Sequence, residues 1–394
     1  MKKLLIGYVP ESFPQISETF VINEIWGMLQ KGYSVAVIPR INMAANIALH
    51  ERYDEIKDDI KLISVSGGAF SIQAFFYGLY YGNPVRPRIR INGIINHIKN
   101  AIKISRHYSA LENARPDLLV THFCYDNAIA SAIYSSKYNV KHILWMHGSD
   151  IHTVPHRGLN WISKNSNAVA TNSVYSQGLI KELGVTTPVH VAFLGIDLTK
   201  FKIPIFESKS TTPIILCVAR LGHSKDHNFL LRVFARIKTV IANAELWLIG
   251  DGPNRDQLQQ YAKDHKIENV IFHGNQSQEH VADFLSQAWV FSLFSDKEGL
   301  GVVLLEAQAS GLPCVCNSVG GMPEAVSHGE TGFVIDKSAF NAERVAADSF
   351  IQLLQNHDLR KNMGIKARAR AESFFSEARH HEAMDLLIKQ LINT

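Results

Sequence analysis

The chain has 394 residues, which is long enough for two domains of ordinary size. Hydrophobic residues make up 46% of it and charged residues 19%, a balance that indicates a packed globular protein and excludes a disordered one. The formal net charge of +4 is too small to indicate a nucleic-acid-binding protein.

Three features indicate a cytoplasmic location. The four cysteines form no C-x-x-C pair and are expected to be buried thiols in a reducing compartment: Cys124, Cys217, Cys314 and Cys316. The N-terminal run M-K-K-L-L-I-G-Y-V-P is too short for a signal peptide and predicts a first strand. No apolar run approaches the ~20 residues that a membrane span needs.

The first half of the chain alternates strand-like runs with helical patterns, which predicts a parallel sheet with right-handed crossovers. The strand-like runs fall at residues 4–9, 35–40, 118–123, 142–147, 168–171 and 189–193. Because ligands bind at the carboxyl ends of such strands, the polar residues there are candidate site residues. Ser17 can cap a helix that begins near Glu18. A second polar cluster lies at the end of the fourth run and comprises His147, Gly148 and Asp150. His147 is the candidate functional residue of this half, with a purely structural role as the alternative.

A group of aromatic residues precedes a basic stretch in this half. The aromatics are Phe75, Phe76, Tyr77, Tyr80 and Tyr81, and the cations are Arg86, Arg88, Arg90, Lys99, Lys103 and Arg106. The favoured interpretation is a core helix followed by a solvated loop, because core aromatics are common. The alternative is peripheral docking on an anionic membrane surface or on a lipid-linked acceptor.

A polar segment with two prolines follows Gly195 and predicts a linker. A second alternation of strands and helices comes after it, with strand-like runs at residues 214–219, 245–249, 270–273, 289–293, 313–316 and 332–335. The sequence therefore predicts an α/β protein of two Rossmann-like domains, residues 1–195 and 196–370. The last segment, within 368–392, is predicted to be one charged helix that either caps the second domain or crosses back to the first.

The stretch from Phe291 to Pro313, F-S-L-F-S-D-K-E-G-L-G-V-V-L-L-E-A-Q-A-S-G-L-P, predicts a strand, a glycine loop and a helix. The free N–H groups of a helix start, beside Gly299 and Gly301, favour phosphate. Glu298 precedes the helix. Glu306 lies about 7.5 Å along the helix axis from Gly301. A carboxylate can accept hydrogen bonds from two vicinal sugar hydroxyls. The pattern favours a sugar nucleotide with one carboxylate near each end, and a plain buried α/β unit is the alternative.

Arg220 and Lys225 follow the first strand of the second domain and share one loop. An Arg fork and a Lys ammonium suit a leaving diphosphate, because its charge grows as the glycosidic bond breaks. Two solvated surface cations are the alternative interpretation.

Two further loops of this domain are predicted to reach the same edge of the sheet. Gly250, Asp251 and Gly252 predict a tight turn that closes on the ligand side. Phe272 and Gly274 end the next strand, where the aromatic ring could flank a planar base.

Several other site types are excluded by their missing motifs. No strand is followed by G-x-G-x-x-G, and no G-x-x-x-x-G-K-[ST] occurs, so a dinucleotide fingerprint and a P-loop are absent. No H-E-x-x-H, metal-ligand spacing of Cys and His, or G-x-S-x-G elbow occurs either. The sequence therefore predicts no dedicated metal site.

The segment E-G-x-G-x-x-x-x-E-A-x-A-x-G-x-P, from Glu298 to Pro313, resembles the signature of the retaining glycosyltransferases of family 4. The resemblance covers the second domain through A-R-L-x-x-x-K, G-D-G-P, F-H-G and G-G-M-P-E-A-V-x-x-G-E-T-G-F. In the first domain, S-E-T-F-V-x-x-E-I and M-H-G-S-D are similar to a subgroup that builds exopolysaccharides, as in colanic acid synthesis. Gln308 and Ser310 depart from the family, which often has methionine and cysteine or alanine there.

The resemblance implies a GT-B fold, with two Rossmann-like domains that face each other across a cleft. The second domain would bind the donor, the first the acceptor, and the C-terminal segment, residues 371–394, would return to the first domain. Arg220 and Lys225 would hold the diphosphate, Glu298 the donor sugar hydroxyls and Glu306 the ribose. His147 would face the reacting sugar.

The resemblance also implies a role for the glycine loops. The amides of Gly299, Leu300 and Gly301 would meet phosphate or sugar, next to the turn at 250–252 and the strand end at 272–274. No divalent metal or other cofactor is expected, because the two cations and the helix start would neutralise the leaving group.

The predicted function is a retaining hexosyltransferase that moves a hexosyl unit from a UDP- or GDP-sugar to a saccharide or lipid-linked saccharide in surface polysaccharide biosynthesis. A sugar-nucleotide epimerase of the same fold is the alternative. A phosphorylase would need an inorganic phosphate site that the sequence does not show clearly, and a non-enzymatic partner would be expected to lack one of the charged site residues. The predicted location is the cytoplasm, with peripheral contact at the inner face of the membrane left open.

Overall fold

The short apolar runs of the sequence form two separate parallel β-sheets, one in each half of the chain. The structure, a computed structural model, describes residues 3–14, 19–42, 51–65, 70–81, 91–148, 150–151, 156–203 and 210–393. The chain divides into unit 1, which comprises Met1–Gly195 and Glu377–Thr394, and unit 2, which comprises Ile196–Ser376.

Unit 1 begins with alternating strands and helices. They are β1 (Leu5–Val9), β2 (Ser12–Phe13), α1 (Thr19–Gln30), β3 (Ser34–Val37), β4 (Ile41–Asn42), α2 (Glu51–Ile56), β5 (Ile60–Leu62), α3 (Ile72–Tyr81), α4 (Ile91–Ala114), β6 (Leu118–His122), α5 (Asp126–Tyr138), β7 (Lys141–Met146), α6 (His156–Lys164), β8 (Ala168–Thr171), α7 (Val174–Glu182) and β9 (Val189–Val191).

The main sheet of unit 1 has seven parallel strands in the order β5-β3-β1-β6-β7-β8-β9. The chain moves outward from β1 to β3 and β5, then returns to β6 and moves the other way. The order of strands therefore reverses between β1 and β6, and in such sheets ligands bind near the strand ends at this reversal. His122, at the end of β6, and His147, just after β7, lie at this edge.

Unit 2 holds the second alternation. It comprises β10 (Ile214–Val218), α8 (His227–Lys238), β11 (Glu245–Ile249), α9 (Arg255–Asp264), β12 (Val270–Gly274), α10 (Gln278–Gln287), β13 (Val290–Leu293), α11 (Val302–Ala309), β14 (Cys314–Asn317), α12 (Met322–Ala325), β15 (Gly332–Ile335), α13 (Ala342–Gln355) and α14 (His357–Phe374). A short 3-10 turn at His223–Lys225 precedes α8. The sheet is again parallel, in the order β12-β11-β10-β13-β14-β15, and reverses between β10 and β13.

The predicted fold class is confirmed, because both sheets are parallel and most of their strands lie within two residues of the predicted runs. The sequence analysis missed β5, whose three residues include an exposed lysine and give no apolar run. All four cysteines are buried and free, as predicted. Among the described residues, no helix combines the length and apolar character that crossing a bilayer requires.

The prediction of a single C-terminal helix was wrong. The helix α14 ends at Phe374, and α15 (Glu377–Ile392) begins three residues later. The break occurs because Phe375 is buried and its carbonyl accepts a hydrogen bond from the N–H of Ile196 at 2.7 Å. The second boundary between the units accordingly lies after Ser376, not at the predicted residue 370.

Helix α15 belongs to unit 1 and is attached to it by polar as well as apolar contacts. Glu377 forms an ion pair with Arg52 at 2.6 Å, and Asp385 accepts a hydrogen bond from the Tyr33 hydroxyl at 2.7 Å. Met384 and Ile388 are fully buried on the same helix.

Candidate functional site

Two loops meet at the reversal of strand order in unit 2. One follows β10 and carries Arg220 and Lys225, and the other follows β13 and leads into α11. The N–H of Asp296 in the second loop donates to the carbonyl of Ser224 in the first at 2.9 Å. Lys337 bonds to the carboxylates of both Asp226 and Asp296, each at 2.5 Å. Backbone and side-chain contacts therefore fix the two loops against each other.

The glycine turn after β11 lies directly against the first of these loops. Gly250 has a φ of +125°, and a Cβ there would overlap the carbonyl oxygen of Ala219. A Cβ at Gly252 would likewise overlap the carbonyl oxygen of Leu221, whose N–H donates to the carbonyl of Asp251 at 3.0 Å. Both glycines are needed for this close approach, which brings Asp251 to the loop that carries Arg220.

The start of α11 is also built on glycine. Gly301 caps the helix with a φ of +84°, a conformation that costs other residues energy. Gly320 has a φ of +60° and packs so closely on the carbonyl of Glu298 that a Cβ would overlap it. The N–H of Gly321 donates to the carbonyl of Gly299 at 3.0 Å. The turn at 320–321 therefore supports the loop that sets the first N–H groups of α11.

Lys225 and Glu298 form an ion pair in front of this helix start. Their side chains remain 24% and 18% exposed, so both can be reached by a ligand. The structure thus brings together two residues that lie 73 positions apart in the sequence and that were predicted to act on the same substrate.

A cavity of about 420 Å³ lies at the same sheet edge. Its size suits a nucleotide, since small-molecule pockets occupy roughly 300–1,000 Å³. The lining residues come from the ends of β10, β11 and β12 and from α10 and α11: Val218, Ala219, Arg220, Ile249, Gly250, Asp251, Asn275, Gln276, Val281 and Val303.

Glu306 lies one helical turn beyond Val303 on the same face of α11, and Gln278 lies one turn before Val281 on α10. Gln278 Nε2 donates to Glu306 Oε1 at 3.4 Å. The two helices thus direct a carboxyl and an amide toward one end of the cavity.

The carboxyl of Glu306 is only 8% exposed. Burial raises its pKa to about 7, because the hydrogen bond from Gln278 offsets only part of the cost of removing the charge from water. Near neutral pH this side chain is therefore present both as an acid and as a carboxylate.

Of the residues predicted to bind the donor, Arg220, Gly250 and Asp251 line the cavity. The others are not among its lining residues: Gly252, Phe272, Gly274, Gly299, Leu300, Gly301 and Glu306. Phe272 instead packs against the apolar core of unit 2, because its place in β12 turns the ring to that side. Gly274 supports the turn, since its carbonyl accepts a hydrogen bond from the N–H of Gly250 at 2.8 Å. The role of Phe272 beside a base stays a prediction.

The sequence analysis did not single out the polar lining residues Asn275 and Gln276, the lining residue Val281, or Gln278, which bonds to Glu306. Asn275 and Gln276 directly follow the predicted F-H-G motif, so their place in the chain was available as a signal. Gln278 and Val281 lie on a helix whose contact with α11 is not encoded in any local pattern.

His147, the candidate of unit 1, is half-buried just after β7. Its ring stacks on Trp145 with centroids 4.8 Å apart, and its Nε2 is 3.0 Å from His122 Nδ1. Burial and the nearby histidines lower the pKa of His147 well below the ordinary value, so the ring is neutral at pH 7.

Asp150, predicted beside His147, shapes the backbone of this loop. Its carboxyl accepts the N–H of His147 at 2.9 Å and that of Cys124 at 3.0 Å. It is fully buried, and burial raises its pKa to about 6 despite these hydrogen bonds. Gly148 follows His147 with a φ of +101°. The predicted cap Ser17 lies outside the described residues.

The aromatic helix α3 differs from the favoured interpretation. Ile72, Phe76 and Tyr80 are 61–66% exposed, whereas the opposite side packs on α4 through Ala74 and Gly78. Lys99 and Lys103 each lie two residues, about 200° of rotation, from Ala101, which faces α3, so these two lysines point away from that helix. Arg86, Arg88 and Arg90 lie outside the described residues, so membrane contact stays a prediction.

No group of three or more His, Cys, Asp or Glu side chains suited to a metal ion occurs in the part of the chain that the structure describes.

Comparisons with known proteins match both units. The family model for "Glycosyl transferases group 1" matches residues 199–370, and that for "Glycosyltransferase Family 4" matches residues 17–200. The amylovoran biosynthesis glycosyltransferase AmsK of Erwinia amylovora is 25% identical over 93% of this chain and 94% of its own. The N-acetyl-alpha-D-glucosaminyl L-malate synthase of Bacillus anthracis is 37% identical, but the alignment spans only 46% of each protein.

A solved structure with a similar fold is that of HepE from Anabaena in complex with UDP and glucose. It superposes with a TM-score of 0.73, covers 98% of this chain and 100% of its own, and is 16% identical. At this identity, the likeness shows the fold.

Proposed function

This chain belongs to glycosyltransferase family 4 and has the GT-B fold, and from that premise we propose that it is a retaining hexosyltransferase. It moves a hexosyl unit from a nucleoside-diphosphate sugar, with UDP or GDP as the nucleotide, to a saccharide or lipid-linked saccharide. The observation that carries this proposal is the cavity of unit 2, which lies between the loop of Arg220 and the first turn of α11.

The anion-binding part of this cavity supports a diphosphate ligand. Arg220 is exposed at one side of it, and Val303, in the first turn of α11, lines another. The first N–H groups of a helix have no partner within the helix and carry a partial positive charge. A guanidinium and a helix start on one cavity suit the two phosphates of a sugar nucleotide.

Two carboxylates would bind the other two parts of the donor, the ribose and the hexose. Glu306 and Gln278, each one helical turn from a residue that lines the cavity, would offer an acceptor and an amide to the two ribose hydroxyls. Glu298 lies before the helix start, paired with Lys225, where the hexose of a donor bound on α11 would reach. The pair places a cation beside the acid that holds the sugar, close to the bond that breaks.

The chemistry follows from this placement. The bond between the anomeric carbon and the diphosphate breaks, and the electron pair leaves with the phosphate oxygen. Lys225, Arg220 and the start of α11 stabilise that growing negative charge. The acceptor hydroxyl attacks the same face of the oxocarbenium-like carbon, and its proton passes to the departing diphosphate. Transfer with retention needs no divalent metal in this scheme, because the protein's own positive groups act on the leaving group.

The names of two similar proteins support the substrate class. HepE was solved with UDP and glucose, and AmsK is named for the biosynthesis of amylovoran. We therefore propose a role in surface polysaccharide biosynthesis, on the cytoplasmic side. Four buried, free thiols suit that reducing compartment.

The proposal is tested with purified protein and a panel of UDP-, GDP- and ADP-sugars. Thermal shift identifies the donor, and NMR of the product formed on a saccharide acceptor reports the anomeric configuration. A product with inverted configuration would contradict the retaining mechanism. Interconversion of donors without an acceptor would indicate the epimerase instead, and activity abolished by a chelator would contradict metal independence.

Lys225→Ala tests the role of the ion pair. We expect turnover to fall roughly 100- to 1,000-fold, the usual effect of losing one group that stabilises developing charge. Lys238→Ala is the matched control, because Lys238 bonds only to backbone carbonyls at the far end of α8. Turnover of Lys225→Ala within about threefold of wild type would contradict the role.

A further inference from the structure

Unit 1 contains a buried chain of polar side chains that ends at His147. Glu24, on α1, is 1% exposed and accepts hydrogen bonds from the Tyr8 hydroxyl at 3.0 Å and from His380 Nε2 at 3.0 Å. The other nitrogen of His380, Nδ1, lies 2.9 Å from the carbonyl oxygen of Phe193.

The environment of Glu24 keeps it ionised. Burial alone would raise the pKa of Glu24, but the hydrogen bond from His380 and the neighbouring histidines hold it below its ordinary value. Glu24 is therefore a buried carboxylate that accepts a hydrogen bond from a residue of the last helix.

His122 lies between this carboxylate and His147. Its Nε2 is 3.8 Å from Glu24 Oε1, too far for a hydrogen bond, so Glu24 acts on it through its charge. Its Nδ1 is 3.0 Å from His147 Nε2. Burial lowers the pKa of His122 to about 4, so this ring is neutral and carries a single proton. The negative charge of Glu24 favours that proton on Nε2, the nitrogen nearer to it. Nδ1 of His122 is then the acceptor, and Nε2 of His147 is the donor.

The position of the proton on Nε2 of His147 also determines the state of its other ring nitrogen, Nδ1. A neutral imidazole that carries its proton on Nε2 has an unprotonated Nδ1. His147 Nδ1 is buried and, among the described residues, has no hydrogen-bond partner. Trp145 and Phe20 hold the ring, with centroids 4.8 and 4.5 Å from that of His147. A hydroxyl reaches Nδ1 only when a neighbouring side chain shifts.

We propose that Glu24, acting through His122, fixes the tautomer of His147 so that its Nδ1 accepts a hydrogen bond from a saccharide hydroxyl. Glu24 and His122 are then positioning residues. The inference rests on the proposed function and on the role that the family resemblance implies for His147, which would face the reacting sugar. It adds to that function a buried carboxylate that determines which nitrogen of His147 can accept a hydrogen bond.

Nitrogen NMR of the whole protein with labelled histidine tests this inference without using activity. His147→Gln assigns the signals of His147 by their loss. In the wild type we expect Nδ1 to show the shift of an unprotonated nitrogen and Nε2 that of a protonated one, near neutral pH. Glu24→Gln keeps the shape of the side chain and removes its charge. In this variant we expect a mixture of the two tautomers of His147.

Glu112→Gln is the matched control, because Glu112 is a carboxylate of the same unit that accepts hydrogen bonds from Tyr138 and Lys137, outside this chain. It should leave both His147 signals unchanged. His122→Phe, which keeps a ring beside Tyr8 and Trp145, should also release the tautomer. A protonated Nδ1 in the wild type, or signals unchanged in both Glu24→Gln and His122→Phe, would overturn the inference.

A transfer assay separates this inference from the proposed function. With a working donor and acceptor, Glu24→Gln should lower kcat by about tenfold or more with little change in KM for the donor. The pH profile should change as well, because loss of the Glu24 charge acts on His122 and His380, which together with Asp150 are the titratable groups beside His147. A wild type that transfers no hexose from any donor would overturn the proposed function, while the NMR signals decide the tautomer.

Discussion

At the scale of single residues, the two glutamates of unit 2 show how environment divides one side-chain type into two roles. Glu298 has a lysine as its partner and remains partly exposed. Glu306 is buried with an amide as its partner, and burial raises its pKa to about 7. The two are eight residues apart in the sequence, and Glu306 is expected to respond to pH near neutrality.

This difference gives a prediction for donor binding. Ribose hydroxyls donate to a carboxylate, so the donor binds better to the ionised form of Glu306. Below pH 7 the acid form dominates, and binding must release its proton. Affinity should therefore rise with pH from about 6 to 8, by up to about tenfold per unit below the pKa. Calorimetry with an intact sugar nucleotide measures it, because its diphosphate does not titrate in this range.

Glu306→Gln provides the control for the pH dependence. The amide keeps the size of the side chain and cannot ionise, so its affinity for the donor should be weaker and nearly independent of pH. An affinity that varies equally with pH in both proteins would assign the titration to another group.

At the scale of elements, the glycine turn at 320–321 supports the start of α11 from outside the cavity. Gly320→Ala should therefore disturb donor binding without touching the donor, because the new Cβ would push on the carbonyl of Glu298. We expect a loss of stability above the ~1–2 kcal/mol that a left-handed residue costs and a clear loss of donor affinity.

Gly329→Ala is the matched control for this element. Gly329 also has a positive φ, +76°, but a Cβ there meets nothing within 4 Å. Gly329→Ala should lose only the stability that the left-handed conformation costs an alanine, and it should keep its affinity for the donor. Thermal melting and calorimetry measure both quantities, and equal losses of affinity in the two variants would contradict a specific role for the turn at 320–321.

The same scale explains what the sequence could predict. The strand, glycine loop and helix around Glu298 form one local pattern, so their order and the place of Gly301 were predicted correctly. Gln278 could not be assigned to the site, because its contact with Glu306 joins two helices that are separate in the sequence. The packing of the Phe272 ring against the core could not be predicted either, because it depends on the register of β12 in the folded sheet.

The break after α14 was missed for a similar reason. Residues 368–392 have helix-forming composition throughout, and no glycine or proline interrupts them. The interruption comes from a hydrogen bond between the carbonyl of Phe375 and the N–H of Ile196, which are far apart in the chain. Only the folded arrangement of unit 2 makes that bond available.

At the scale of the whole molecule, α15 is part of unit 1 although unit 2 separates it from the rest of that unit in sequence. We expect Ile388→Ala to destabilise unit 1 by about 2–5 kcal/mol, the usual cost of emptying a fully buried site. Leu386→Ala, at a position 61% exposed on the same helix, should change stability by no more than about 0.5 kcal/mol. Urea unfolding, followed separately for each unit, measures both.

Equal changes in the free energy of unfolding for the two substitutions would show that the buried side of α15 does not stabilise unit 1. The position of His380 adds a second link, because this residue of the last helix forms a hydrogen bond with the buried Glu24 near the beginning of the chain.

The two places where the chain passes between the units, after Gly195 and after Ser376, therefore impose an order on biosynthesis. The ribosome makes all of unit 2 before it makes α15. Until α15 has emerged and folded, Glu24 lacks its hydrogen bond from His380, and the interior of unit 1 lacks Met384 and Ile388. Unit 1 can therefore reach its finished state only after unit 2 has been synthesised.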